Sequence, residues 1–422
     1  MLPLQSPLEA YRADLSRHPN RTDFGRSDTV WLLVAHCLHR LSRAQGEARR
    51  SIAENCASAI GDLASTVSPD TPEEATMISQ LARMRGALPC IDTSRGAGDV
   101  VDAARVLADQ MAEAGALWLA FSALGHVRTA AAAAPARALG LAMADQAWVS
   151  RTLGDLDSAD ELYQAVALAG DRFGEAELKT RALLGMGVTA RVRGNYPKAR
   201  DAFREGLARA QNAGLSELES VAHQGLLIAA ITAGDSDTAL VHGWAAYELA
   251  QGNTDREAEL LINVSHVSMV AGYPEAALRG FLASLVRTQG ARYRLPSLGG
   301  AAVASARIGN RQLVATIARV AEDSLLITGF PYESAGALRS LSEAFESVGD
   351  AARAEDYRLR ARALARKNGF FEIVLATEPK AIPAIQPVVT ARKHLTSASL
   401  NVIESLEAME TGVDAALYAA TP

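Results

Sequence analysis

The run Gly185-Met186-Gly187-Val188-Thr189-Ala190 has the G-x-G-x-x-A spacing of a dinucleotide-binding loop. That chemistry needs a strand before the glycines and a helix start after them, so that backbone N–H groups meet a pyrophosphate. It also needs an acidic residue about 20 positions further on for the ribose. Here the run lies inside a helical pattern, and Gly187 reads as a close-packing position between helices. His36, Cys37 and His39 carry metal-ligating atoms within one helical turn, but no second ligand pair accompanies them, and they read as a packed helix face. His223, His242 and His266 have no Ser or Cys nucleophile at a recognisable spacing. Glu217 with Glu219, and Asp255 with Glu257 and Glu259, could imitate a carboxylate pair. They stand where first helical turns begin, and there they complement the helix dipole. None of the five lysines (179, 198, 367, 380 and 393) follows a glycine, which excludes the G-x-x-x-x-G-K-[ST] phosphate loop. H-E-x-x-H and EF-hand patterns are absent as well. The residues therefore assign no catalytic, cofactor-binding or metal site, and no cofactor is expected. The enzyme reading that survives is a helical one, with a site dispersed over distant residues.

Composition says what must position any functional group. The chain has 422 residues, 49% apolar and 21% charged, with aromatics at only 5%. Alanine dominates the apolar set, which suits helices packed closely on helices and leaves too little β-branched and aromatic material for sheets. All-α is expected. A formal charge of −6 gives no nucleic-acid footprint. The basic N-terminal fifty residues carry acids among their arginines and read as solvated helix faces. Cys37, Cys56 and Cys90 form an odd set without C-x-x-C spacing and read as buried thiols in a reducing compartment. No basic-then-apolar leader precedes Pro3, Pro7 and Glu9, and the longest early apolar run, Trp31 to Ala35, is far short of a membrane span. A soluble, cytoplasmic protein without membrane or nucleic-acid contact is the expectation.

A repeat organises the rest. Gly115, Gly154, Gly194, Gly234, Gly272, Gly309 and Gly349 follow one another at 39, 40, 40, 38, 37 and 40 residues. Alanine stands five positions after most of them (Ala120, Ala159, Ala199, Ala239, Ala277 and Ala354), with Val314 in that place after Gly309. A second glycine ends the unit at Gly174, Gly214, Gly252, Gly290, Gly329 and Gly369. A glycine just past a helix end takes the left-handed conformation that caps it, and an Asp or Asn beside it starts the next helix. The small alanine permits the crossing of the two helices. Each unit is a helix, a glycine turn, a helix and another glycine turn.

The stretch Leu183 to Ala210, with Gly187, Gly194, Tyr196, Ala199, Phe203 and Leu207 in signature places, resembles the tetratricopeptide repeat. The 37–40-residue spacing is similar to the extended versions of bacterial regulatory proteins and the kinesin light chain. The resemblance spans about residues 98–370. It implies a right-handed α-solenoid of antiparallel helix pairs whose first helices line a concave groove for a protein segment or peptide. Counting back from each turn glycine transfers that groove to Trp148 and Arg151, then to Arg181, Leu184, Val188 and Arg191. In the next units it falls on Gln224, Ile228 and Ile231, then on Ile262, His266 and Met269. One aromatic, three arginines and several apolar side chains suit a ligand with an acidic and an apolar portion.

Four segments follow. Residues 1–97 form an N-terminal helical region, with helices at about 28–44, 47–66 and 72–86, read as degenerate repeats or a cap. Residues 98–377 are the solenoid, after a loop at 89–99. Residues 378–389 are a proline-rich linker, and 390–422 hold a last helix with Leu395, Leu400, Ile403 and Leu406 on one stripe. That helix is expected to cap the last repeats or to fill the groove, pairing with a second copy or a partner being the alternative. The functional expectation is a non-enzymatic interaction scaffold or sensor in bacterial signalling or regulation. A peptide-responsive regulator with residues 1–97 as an effector bundle stands beside it.

Overall fold

In the computed structural model the described residues are 6–17, 26–66, 69, 71–288, 291–325, 330–378, 392–409, 412 and 415–417. Among them the chain is helical throughout and contains no strand. It divides into two compact units, Met1–Leu215 and Ser216–Pro422.

The first unit begins with α1 (Pro7–Arg17), α2 (Arg26–Arg43), α3 (Gly46–Thr66) and α4 (Pro72–Ala87). Helix α1 was not anticipated from the sequence. A 3-10 turn, Leu88–Cys90, leads to α5 (Ser94–Glu113), so the expected loop at 89–99 shrinks to three residues. Thr93 caps α5 by accepting from the Gly96 N–H at 3.1 Å. Gly96 is a packing residue: a Cβ there would stand 2.2 Å from the Cys90 carbonyl oxygen. A domain boundary at 97/98 would thus fall inside α5. Three pairs follow: α5 with α6 (Leu117–Ala130), α7 (Ala136–Thr152) with α8 (Leu156–Phe173), and α9 (Ala176–Val192) with α10 (Tyr196–Ala213).

The N-terminal helices are fastened to these pairs. Helices α1 and α2 both pack on α6. Helix α6 has no side-chain cap of its own. Buried Asp14 of α1 supplies one, accepting from the N–H groups of Trp118 and Leu119 at 2.9 and 3.0 Å. Arg49 of α3 donates to the Leu41 carbonyl at 2.8 Å and to that of Ala130, closing the ends of α2 and α6. Cys37 and Cys56 are buried as expected, whereas Cys90 is exposed.

The second unit pairs α11 (Ser216–Thr232) with α12 (Ser236–Leu249), α13 (Thr254–Val270) with α14 (Pro274–Arg287), α15 (Ala291–Arg307) with α16 (Arg311–Leu325), and α17 (Pro331–Ser347) with α18 (Ala351–Asn368). Short α19 (Phe371–Ala376) packs on α17 and α18. The pairing is tightest where small residues allow it. Gly299 of α15 lets the α17 backbone approach: a Cβ there would meet Ser340 Cβ at 3.0 Å and Ala337 Cα at 3.3 Å.

The turn chemistry follows the sequence pattern. All seven turn glycines have positive φ, between 72° and 92°. Asp155, Asn195, Asp235, Asn310 and Asp350 each accept the backbone N–H three residues on, at 3.0 to 3.2 Å. Gly174, Gly214, Gly252 and Gly369 also have positive φ, while Gly290 and Gly329 lie outside the described residues. The alanines after the turns, and Val314, are buried.

The last helix expected within 390–422 is α20, Ser397–Glu407. The linker expected at 378–389 lies outside the described residues apart from Glu378. Helix α20 packs on α12 and α14, the second helices of their pairs. It therefore neither caps the last repeat nor lies on the first helices, contrary to expectation. The reason is a fitted seat. Val402, Ile403 and Leu406 share one buried cluster with Leu227, Leu240, Tyr247 and Ala276. Gly280 of α14 leaves room for Leu406, whose Cδ2 would stand 3.0 Å from an added Cβ. Asp237 accepts from the Thr396 N–H at 2.7 Å and from its hydroxyl at 2.9 Å. Lys393 Nζ donates to Ser236 Oγ at 2.8 Å, and Lys393 N–H to the Ala271 carbonyl at 2.9 Å.

Candidate ligand-binding surface

Helix spacing identifies the inner layer of each unit. In the first unit α5, α7 and α9 pack side by side, while α6, α8 and α10 make no comparable contact with one another. In the second unit α13, α15 and α17 do the same. A stack whose first helices are closer together than its second helices bends toward the first helices. The residues counted back on α7, α9 and α13 belong to that layer.

On α7, Trp148 is 37% exposed, and Arg151 follows one turn later, half-buried. On α9, Val188 and Arg191 stand 40 residues on, in the equivalent places, both half-buried. Burial of Arg191, and then the nearby charge of Arg151, disfavour its charged form. Burial raises the pKa of the Tyr163 phenol, and the charge of nearby Arg151 partly offsets the rise. Arg181 is already engaged by Glu177 at 3.1 Å, a carboxylate that also holds Arg137. Leu184 is corrected from ligand contact to core. It is 3% exposed and packs against Gly206 of α10, where a Cβ would meet its Cδ2 at 2.6 Å.

In the second unit, Gln224 donates to Glu259 Oε1 at 2.7 Å, Ile228 is half-buried and Ile231 is 45% exposed. Ile262 and Met269, each 7% exposed, belong to the hydrophobic core and are corrected likewise. Helical packing turns only part of each counted row outward, and spacing alone does not say which part. His266 is open to solvent on one side and packs edge-on against Phe281, with ring centroids 4.9 Å apart. Protein around the ring, and then the charge of Arg339, push its pKa down to about 4.

No protein-family model matches the chain, and no curated protein matches it by sequence. Several solved structures are similar in fold. The apo form of RapI matches with a TM-score of 0.51 at 11% identity, over 81% of this chain and 99% of that one. A Rap protein complexed with competence and sporulation factor gives 0.48 at 10% identity, over 82% and 99%. A signal-transduction ATPase with a tetratricopeptide-repeat sensor, from Pyrococcus horikoshii, gives 0.49 at 10% identity, over 88% and 74%. The fold is that of tetratricopeptide-like helical repeats. At such identities the likeness extends to fold alone.

Within this repeat fold the other sequence clusters are structural. Gly185 and Gly187 of the dinucleotide-like run lie in α9; a Cβ on Gly185 would stand 2.2 Å from the Tyr163 ring, and one on Gly187 2.9 Å from that of Phe203. His39 Nδ1 meets His126 Nε2 of α6 at 3.1 Å, and His223 Nδ1 meets His242 Nδ1 at 2.9 Å. Among the described residues no three His, Cys, Asp or Glu side chains gather as a metal would require. Glu257 is buried, accepts the Gly252 N–H at 2.7 Å and pairs with Arg287 at 3.3 Å, so it fastens a helix start. Among the described residues no helix is long and apolar enough to cross a membrane. Two residues of the inner layer were missed, Arg339 beside His266 and Glu343, which pairs with Arg307 at 3.5 Å. Both stand in the counted places before Gly349, ten and six residues back, so extending the same register by two units finds them.

Proposed function

We propose that this chain is a non-enzymatic scaffold or sensor that binds a protein segment or peptide along the first helices of its repeats, in bacterial signalling or regulation. One observation carries the proposal. The first helices present partly open side chains that no hydrophobic core encloses, Trp148, Arg151 and Arg191 in the first unit and Ile231 and His266 in the second. Large aromatic and arginine side chains left exposed on a rigid helix face are the usual anchors of protein recognition. Cavities of about 180 and 280 Å³ lie around Arg193 and Lys198, reaching Met186 and Ala190 of α9, and around Arg83 and Cys90, reaching Gly96 and Asp99 of α5. An effector bundle of residues 1–97 is the less favoured reading, because Asp14 and Arg49 fasten α1 and α3 to α6.

Selecting a random displayed-peptide library on the full chain tests the proposal, followed by hydrogen–deuterium exchange with the selected peptides. Protection on α7 and α9, or on α11 and α13, is the expected result. Failure to select any peptide, or protection confined to second helices, overturns it.

A further inference from the structure

The groove positions on α7 and α9 are not equivalent in what they have left to offer. Arg181 is paired with Glu177, which it shares with Arg137. Arg151 and Arg191 form no salt bridge with any described residue. The carboxylates close enough to act on Tyr163, beside Arg151, are Asp145 and Asp160. Both are spent elsewhere, Asp145 on Arg105 at 2.5 Å and Asp160 on Arg193. Arg151 Nε is shielded from water without an acceptor, and the side chain lies beside Tyr163. Arg151 and Arg191 stand at equivalent places on α7 and α9, which pack together, and burial of Arg191, then the charge of Arg151, disfavours its charged form. Isolated cations half-removed from water are unfavourable unless an anion joins them.

Resting on the peptide-binding reading above, we propose that Arg151 and Arg191 together form the subsite for a carboxylate of an acidic peptide, with Trp148 and Val188 as the platform for an adjacent apolar side chain. The dimensions agree. Neighbouring helix axes lie about 8–10 Å apart, so two arginine arms from adjacent helices converge on one carboxylate. The Trp148/Val188 row precedes the arginine row by three residues, a rise of roughly 4.5 Å. In an extended peptide, side chains two residues apart lie on one side at about 6.6 Å, a difference that flexible side chains absorb. The ligand is therefore an extended segment with an acidic residue and a large apolar residue two positions apart. A C-terminal carboxylate offers the same chemistry as a side-chain one, and the experiment separates them.

Peptides selected on the full chain are synthesised as C-terminal acids and as amides, each with its acidic residues as Glu or Gln. They are titrated calorimetrically against the native protein and against Arg151→Gln, Arg191→Gln and Arg181→Gln, with thermal unfolding to show that each variant folds. On the native protein and on Arg181→Gln, changing the key Glu to Gln should weaken binding by about tenfold or more. On Arg151→Gln and Arg191→Gln that discrimination should fall below about threefold, and Arg191→Lys should restore part of it. A loss that follows amidation, with no response to Glu→Gln, assigns the subsite to a chain terminus and supports it equally. Selected peptides that lack carboxylate dependence overturn this inference and leave the peptide-binding reading standing. So does an Arg181→Gln variant that behaves like Arg191→Gln. Selection of no peptide overturns both.

Discussion

Single residues decide how tightly a pair of helices can close, and Gly185 is the sharpest case. An alanine there gains about 1 kcal/mol in helix propensity. Its Cβ would fall 2.2 Å from the Tyr163 ring, and overpacking a buried contact costs about 1–3 kcal/mol. Gly185→Ala should therefore lower stability, and it should also displace the Tyr163 ring beside Arg151. A denaturant midpoint equal to the native one would show that the α8–α9 contact is looser than described. At His266 the prediction concerns pH. Its folded pKa is lowered from the usual 6.5 to about 4, so the unfolded chain takes up the proton first as pH falls. The stability it supports is complete above about pH 6.5, declines down to about pH 4 and is level below that. His266→Gln should flatten that part of the stability profile. An NMR titration of His266 with a midpoint at or above 6.5 would remove its basis.

Among elements, α20 is the one whose place follows from a specific seat. Burial pushes the Asp237 carboxyl upward in pKa, but the bonds from Thr396 N–H, Ser399 and the Thr396 hydroxyl outweigh it and leave it below its usual value. The attachment is therefore strongest above the ordinary carboxylate range and weakens as pH falls through the folded pKa. Asp237→Ala removes a cap-like acceptor, a loss of about 1–2 kcal/mol, and should speed amide exchange across 397–407. Truncation after Thr377 should lower the unfolding midpoint and promote aggregation, because Leu240 and Gly280 lose their cover. It should leave peptide affinity unchanged, since α20 sits on second helices. A rise in affinity would mean that the tail also visits the inner layer. The apolar stripe of α20 was legible in the sequence and its seat was not. Ser236, Asp237 and Ala271 lie more than a hundred residues away, and nothing in local spacing marks them as acceptors.

Each half of the molecule has its own core, one cluster running from Tyr11 to Ala182 and others formed by residues beyond Leu215. Repeat stacks derive stability from neighbouring interfaces, so a half that keeps its interfaces keeps its fold. Residues 1–215 and 216–422, expressed separately, should each give a helical circular dichroism spectrum and a cooperative thermal transition. A half that binds hydrophobic dye and melts without a transition would show that the division is not one of stability.

The repeat itself was fully written in the chain. Glycines at 37–40-residue intervals, Asp or Asn beside them and a buried alanine five positions on are local chemistry, since a left-handed cap and an N-cap act within one turn. Counting from the turn glycines puts Trp148, Arg151, Val188, Arg191, Ile231 and His266 on first helices, where each keeps some exposure. Only the tertiary structure decided which of the counted residues remain available. Leu184, Ile262 and Met269 turn into cores, Arg181 is taken by a carboxylate, and Arg151 and Arg191 are left without one. The same is true of Asp14 capping α6 from 104 residues away. Caps and turns depend on neighbours in sequence, whereas burial and charge pairing depend on neighbours in space, which the chain acquires only when its helices have stacked.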